Sequence, residues 1–437
     1  MSVTVSATLA VNEALTEKRR QGVPVLPLGF GEAGLPVHPA MRDALSEGGG
    51  RNAYGPVAGA AELREAAAGY WSRRGLPTDP DLVVAGPGSK PLLYSLLLSI
   101  GGDVAIAAPS WVSYAAQTHL AGHRPVPVPT APGQGGVPQP DLLAAAVADA
   151  RAQGRDVRSV VVTTPDNPTG TVASRGTVRR IAEVARDLDL VIISDEIYRD
   201  LVYDTAVTVH SPAEFAPERT VVSTGLSKNL ALGGWRLGVT RLPEGAVGQR
   251  LRAELLGVAS EIWSSPAGPV QQAAAYAFAE PPELTDHIAR SRRLHGIVAR
   301  AVTDRFVAAG ATVMAPQAAF YLYPDFDAWR DLLAADHSVT TGPQFADLLL
   351  ERYGMGVLPG VEFGESEQAL RIRVATSLLY GETETQRYAA LAADDPTVLP
   401  WIRAHLDRLS EVLDAVNGSG AEGPSDRGAE AAWARVS

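Results

Sequence analysis

"VRSVVVTTP" (157–165), "LVIISDE" (190–196) and "RTVVSTG" (219–225) are three short runs rich in β-branched residues, each stopping at a turn or a charge. None alternates apolar with polar residues along its length, so each reads as a strand buried on both faces. Between the first two, Val178, Ile181, Ala182, Ala185 and Leu188 recur at helical spacing. Strands of this kind separated by helices predict an α/β fold: a mostly parallel sheet flanked by helices on both faces. In such sheets ligands bind beyond the carboxyl ends of the strands. Polar residues stand at those ends: Asn167 in "TTPDNPTG", Asp195 in "IISDEIY" and Lys228 in "STGLSKN".

The 437 residues are 46% hydrophobic and 20% charged, which suits one large domain and a smaller one. Texture divides the chain into an N-terminal segment of the small domain (1–45), a large ligand-binding domain (46–295) and the rest of a small α+β domain (296–415). Residues 416–437, rich in Gly, Ala and Ser, read as a disordered tail. The net charge of −11 argues against a nucleic-acid or membrane surface. The absence of cysteine excludes a disulfide framework, a thiolate metal site and a cysteine nucleophile, and no metal site is expected. The N-terminus lacks a basic, apolar leader, and the longest apolar stretch, "PLLYSLLLSI", falls short of the ~20 residues of a spanning helix. These features predict a cytoplasmic protein.

Taken one at a time, the polar motifs are ordinary. "DNPTG" is a turn, an Asp at a strand end usually caps a helix, and a lone lysine is usually solvated. "AGPGSKPLL" (85–93) is a glycine loop opening a helix, a possible anion site but also a plain turn. Together they match the needs of pyridoxal 5′-phosphate: a lysine for its aldehyde, a carboxylate at its pyridine nitrogen, donors at its ring oxygen, a phosphate cup and a flat group against the ring. The chain here resembles the fold type I pyridoxal-phosphate enzymes of the class I/II aminotransferase family, typified by aspartate aminotransferase. The resemblance runs from about residue 25 to about residue 377, and its most specific piece is "GLSKNLALGGWRLG" (225–238).

The resemblance implies roles residue by residue. Lys228 would form the internal aldimine and act as general base, Asp195 would hold the pyridine nitrogen protonated, and Tyr198 and Asn167 would donate to the ring oxygen. Arg236, Ser227 and the start of a helix at Gly88, Ser89 and Lys90 would hold the phosphate, and Trp111 would stack on the ring. Tyr54 would reach the phosphate of a neighbouring copy, which implies a homodimer with shared sites; Ser264 and Ser265 lie where the family supplies another such contact. Arg371 would grip the substrate α-carboxylate, with Gly31 in the loop that closes over it. Gly233 and Gly234 are expected to keep bulk away so that Lys228 and Arg236 converge on one molecule.

Two features depart from the family. Arg373 stands where a small residue is usual; it implies either a second anionic contact for the substrate or an ion pair with an acidic neighbour. An insertion, residues 378–400, precedes the terminal helix and either shapes a pocket or elaborates the surface. The expected activity is transamination between an α-amino acid and a 2-oxo acid. The alternative is another reaction of the same cofactor in secondary-metabolite biosynthesis: β- or γ-substitution, lyase or oxidase chemistry. A DNA-binding regulator built on this fold is disfavoured, because the pattern starts by about residue 25 and the chain is acidic.

Overall fold

The computed structural model describes residues 6–418, so residues 419–437 of the tail read from composition lie outside the described residues. In chain order the strands are β1 (Leu26–Pro27), β2 (Val83–Gly86), β3 (Asp103–Ala108), β4 (Pro125–Pro129), β5 (Val157–Thr163), β6 (Val191–Asp195), β7 (Thr220–Gly225) and β8 (Gly238–Arg241). Then follow β9 (Tyr321–Leu322), β10 (Met355–Gly356), β11 (Leu358–Pro359) and β12 (Ile372–Ala375).

The residues form two compact units. The first comprises Leu35–Arg293 and Gln317–Ala319; the second comprises Leu294–Pro316 and the described parts of Val5–Gly34 and Phe320–Ser437. Residues 35–45, grouped by texture with the small domain, belong to the first unit. The helix Pro39–Glu47 explains why: it buries Met41 and Ala44 in a cluster with Leu63, Trp71 and Ala273.

The first unit is built on a seven-stranded sheet of order β2-β8-β7-β6-β5-β3-β4. Only β8 runs antiparallel to its neighbours. The valine runs have the two-sided burial their composition predicts. Val160, Val162 and Ile192 pack with Val178, Ile181 and Ala185 of the helix Arg175–Asp187. The intervening Val161 and Ile193 point the other way, into a cluster with Leu92 and Leu96 of the helix Ser89–Ile100 and with Leu251 and Leu255 of the helix Gly245–Ile262. Each such side chain contributes about 1.5–3 kcal/mol through burial, so a one-residue slip of β5 would exchange two apolar layers and break both.

The second unit holds the parallel pair β1–β10 and the antiparallel sheet β11-β12-β9. The 378–400 insertion is ordered: its helix Glu384–Ala392 starts at a capping box between Thr383 and Gln386, and the terminal helix Pro400–Val416 follows. Tyr380 at its base is buried, with its hydroxyl 2.6 Å from His295 Nδ1 and its carbonyl accepting from Trp401 Nε1 at 2.8 Å. Among the described residues no helix is long and apolar enough to cross a membrane.

Candidate active site

Five loops of the first unit leave the sheet at the carboxyl ends of parallel strands, and the candidate residues are distributed over them. Ser89 follows β2, Trp111 follows β3, Asn167 follows β5, Asp195 ends β6 and Lys228 follows β7. Their alignment is a consequence of strand register, since Thr163, Asp195 and Ser223 are successive neighbours across β5, β6 and β7.

Asp195 is 3% exposed. It accepts from the Tyr114 hydroxyl at 2.8 Å and from the Ile197 N–H at 3.3 Å; the same hydroxyl lies 2.7 Å from Thr163 Oγ1. Burial pushes its carboxyl up to about 6, a rise only partly offset by those two donors and by the charge of Lys228. An acid held this way is costly to ionise alone and is suited to sit against a cation. Tyr114 and Thr163 escaped the sequence reading; the one available signal was Tyr114's place three residues after Trp111 in "APSWVSY".

Tyr198 and Asn167 are both buried, and Lys228 Nζ lies 6.0 Å from the centre of the Tyr198 ring. The turn carrying Asn167 is held by the preceding residue: Asp166 Oδ2 accepts from the Thr169 N–H at 3.1 Å and from its hydroxyl at 2.6 Å. Burial pushes the Asp166 carboxyl up to about 7.

Glycines shape the anion cup, but not the pair expected. Gly88 has φ 104° and precedes the helix Ser89–Ile100, whose first turn contains no acidic residue. A Cβ on Gly88 would lie 2.5 Å from Arg236 Nη2, and one on Gly238 would run into the backbone of Ser89. By contrast a Cβ on Gly233 would meet nothing nearer than 3.9 Å, and one on Gly234 nothing within 4 Å. The close approach that lets Arg236 lie on the helix start therefore depends on Gly88 and Gly238. Arg236 itself is left-handed at φ 56°, with Nη1 donating to the Gly233 carbonyl at 2.8 Å. Lys90 Nζ lies 5.0 Å from the Trp111 ring, and its ammonium is pulled below the usual lysine range by burial and by Arg236. Two cations beside the start of a helix form a site suited to an anion with two charges. Ser227 lies in the loop after β7, its Cβ 4.0 Å from where a Cβ on Gly233 would stand.

Tyr54 is 93% exposed, on a loop whose Gly55 N–H donates to Ser265 Oγ at 3.3 Å. Ser264 adopts φ 60° in the adjoining turn.

In the second unit the two arginines of β12 and its approach have different surroundings. Arg371 is 43% exposed in its side chain and paired with Asp325 at 2.8 Å and Glu365 at 2.6 Å. Arg373 is 1% exposed; its guanidinium donates to the Gly29 carbonyl and lies 5.1 Å from the ring of Tyr321 and 5.4 Å from that of Phe363. The Tyr321 hydroxyl in turn donates to the Gly31 carbonyl at 3.4 Å, and a Cβ on Gly31 would lie 2.5 Å from that oxygen. The acidic neighbours Asp325 and Glu365 thus meet Arg371, and the segment Gly29–Gly31 meets Arg373 and Tyr321. Among the described residues no cluster of three or more His, Asp or Glu side chains could hold a metal.

The chain is similar to known proteins over most of its length. A family model described as aminotransferase class I and II matches residues 23–381. The chain is 34% identical to the probable aspartate/prephenate aminotransferase of Thermus aquaticus, covering 79% of this chain and 90% of that one. It is 33% identical to the aspartate aminotransferase of Geobacillus stearothermophilus, covering 88% and 96%. The solved structure of Thermus thermophilus aspartate aminotransferase with maleate superposes with a TM-score of 0.78 at 28% identity, covering 94% of this chain and 97% of that one.

Proposed function

The chain belongs to the class I and II aminotransferases, and from that premise we propose that it moves an amino group between an α-amino acid and a 2-oxo acid with pyridoxal 5′-phosphate as cofactor. The observation that carries this reading is the convergence of Lys228, Asp195, Tyr198 and Asn167 on the ends of adjacent parallel strands, beside the cationic cup of Arg236, Lys90 and the Ser89 helix start. The residues fit the cofactor: the cup has the charge for a phosphate, and the buried Asp195 carboxylate, costly to ionise alone, would gain its countercharge from a protonated pyridine nitrogen. When bound, the cofactor supplies an electron sink for negative charge developing at the substrate Cα.

Within this assignment each side chain has a separate task. The Lys228 amine takes the proton from Cα and returns it on the other side of the exchange, so it must be neutral when it acts. Asp195, ionised, would hold a separate proton in place, the one on the pyridine nitrogen. Tyr198 and Asn167 donate to the ring oxygen, and Trp111 covers the ring face. Gly88, Ser89, Lys90, Ser227 and Arg236 hold the phosphate. We assign Tyr54 to the phosphate of a second copy, which suits its near-complete exposure and makes the working form a homodimer. Aspartate, the amino acid named for the relatives, is the first donor to test. Purified protein loaded with pyridoxal phosphate and mixed with aspartate and a panel of amino acids should lose its visible absorption and release one equivalent of 2-oxo acid. Lyase or substitution products with the absorption retained would overturn the reading.

The substrate carboxylate goes to Arg371, whose guanidinium is accessible and oriented by two carboxylates, with Arg373 securing the Gly29–Gly31 loop. Arg371→Ala is expected to raise KM for the amino acid on the order of 10–100-fold, the worth of a charge-assisted hydrogen bond. Its melting temperature should hardly move, because half-exposed ion pairs contribute little. Arg373→Ala should instead lower stability by roughly 3 kcal/mol, as loss of a large, fully buried side chain and its packing does. The reverse pattern, with KM raised by Arg373→Ala alone, would transfer the carboxylate to Arg373.

A further inference from the structure

Asp200 lies in the short 3-10 turn Arg199–Leu201, two residues after Tyr198, and its side chain is 11% exposed. Three donors from different parts of the first unit converge on it. Asn229 Nδ2 donates to Oδ2 at 2.9 Å, the Tyr70 hydroxyl donates to the same oxygen at 3.0 Å, and Arg74 Nη2 donates to Oδ1 at 2.8 Å. Asn229 and Tyr70 are buried, at 6% and 2% exposure. Arg74 is itself fixed: its guanidinium carbon lies 3.5 Å above the Tyr70 ring and it pairs with Glu280 at 2.6 Å. The turn is held from its other side as well, by Arg199 on the buried Glu196 at 2.7 Å, with Ser194 Oγ donating to Glu196 at 3.0 Å.

Asn229 is the residue after Lys228, and Asp200 belongs to the turn that carries Tyr198. One carboxylate therefore ties the loop bearing the lysine to the turn bearing the tyrosine. We propose that Asp200 is a positioning residue for Lys228: through Asn229 it sets the lysine's place relative to Tyr198, and so the alignment of the amine with the proton it moves. An inward-pulled loop cannot drift without breaking charge-assisted bonds, which are short and roughly twice as strong as neutral ones. Misplacement of a reacting group by about 1 Å costs on the order of 100-fold in rate, so the tether need prevent only a small shift to matter.

This inference rests on the role proposed above for Lys228. The test compares Asp200→Ala, Asn229→Ala and the double variant, each loaded with pyridoxal phosphate, for kcat, KM for aspartate, the position and pH midpoint of the visible band, and melting temperature. Each single variant should lower kcat by about 10–100-fold, with KM little changed and the band midpoint displaced. The double variant should be no slower than the slower single, because both substitutions cut one connection. Asp200→Asn, which keeps an acceptor oxygen, should recover part of the loss. Wild-type kcat and band in Asn229→Ala, additive losses in the double variant, or a fall in melting temperature alone in Asp200→Ala would overturn the proposal. If Asp200→Ala does not fold, Asn229→Ala decides by the same measurements. A wild-type protein that takes up no cofactor would instead refute the functional reading.

Discussion

Lys228→Ala is expected to lose amino transfer by roughly 10⁴-fold or more, the upper range for removal of a positioned general base, because it also removes the amine that attaches to the cofactor. The fold should survive. Lys228 is only partly buried, in a loop after β7, and it belongs to none of the apolar clusters described above. The variant should still bind pyridoxal phosphate, through the Arg236 and Lys90 cup, but without the visible band of a covalently attached cofactor. Partial rescue of Lys228→Ala by a small primary amine would identify the missing function as proton transfer. Retention of more than about one part in a hundred of the activity would refute the assignment, since a positioned general base is worth about 10²–10⁴-fold.

How much of this was legible before the structure depended on whether a residue's type or its partner carried the information. β5, β6 and β7 were legible because consecutive valines and isoleucines place apolar side chains on both faces of each strand, and Asp195 and Lys228 because the chemistry asks for those residue types at strand ends. Tyr114, Tyr70 and Asp200 were not, because each acts through partners distant in the chain: Tyr114 through Asp195, Tyr70 and Asn229 through Asp200. Glycine was legible as a requirement but not by position. The chain brings the Gly88 turn and the start of β8 together by pairing β2 with β8, which nothing in "GLSKNLALGGWRLG" announces. The two arginines show the same limit. Positions 371 and 373 have equal claim by alternation, yet Asp325 bridges across from 371 while Leu358 stands opposite 373.

The helix Pro39–Glu47 adds a further instance. Its composition resembled the N-terminal segment before it, and only the apolar cluster that receives Met41 and Ala44 decides its unit. Local sequence fixes an element's type more firmly than its address, because propensity acts within a few residues and burial acts across the whole unit.

Asp195→Asn should have the second largest effect, and it acts in opposite directions on catalysis and on the stability of the cofactor-free protein. The folded carboxyl titrates at about 6, raised by burial from its ordinary value of 3.8. Below about pH 4 folded and unfolded chains both carry the proton and burial adds no electrostatic cost. Between about 4 and 6 the unfolded chain releases its proton while the folded one keeps it, so stability falls as pH rises. Above that window the full cost remains, on the order of 3 kcal/mol for a shift of this size. Asparagine has no charge to bury and keeps an oxygen for the Tyr114 hydroxyl, so cofactor-free Asp195→Asn should melt a few degrees above wild type at pH 8 and converge with it at pH 4. A pyridinium beside Asp195 removes the same cost in the wild type, so loading with pyridoxal phosphate should stabilise wild type more than the variant. The variant should meanwhile lose roughly 10³-fold in kcat, the electrostatic worth of a preorganised charge at the site of developing charge. A variant that is less stable than wild type at pH 8 without cofactor would refute the buried-charge account, and one that keeps its kcat would remove Asp195 from the ring nitrogen.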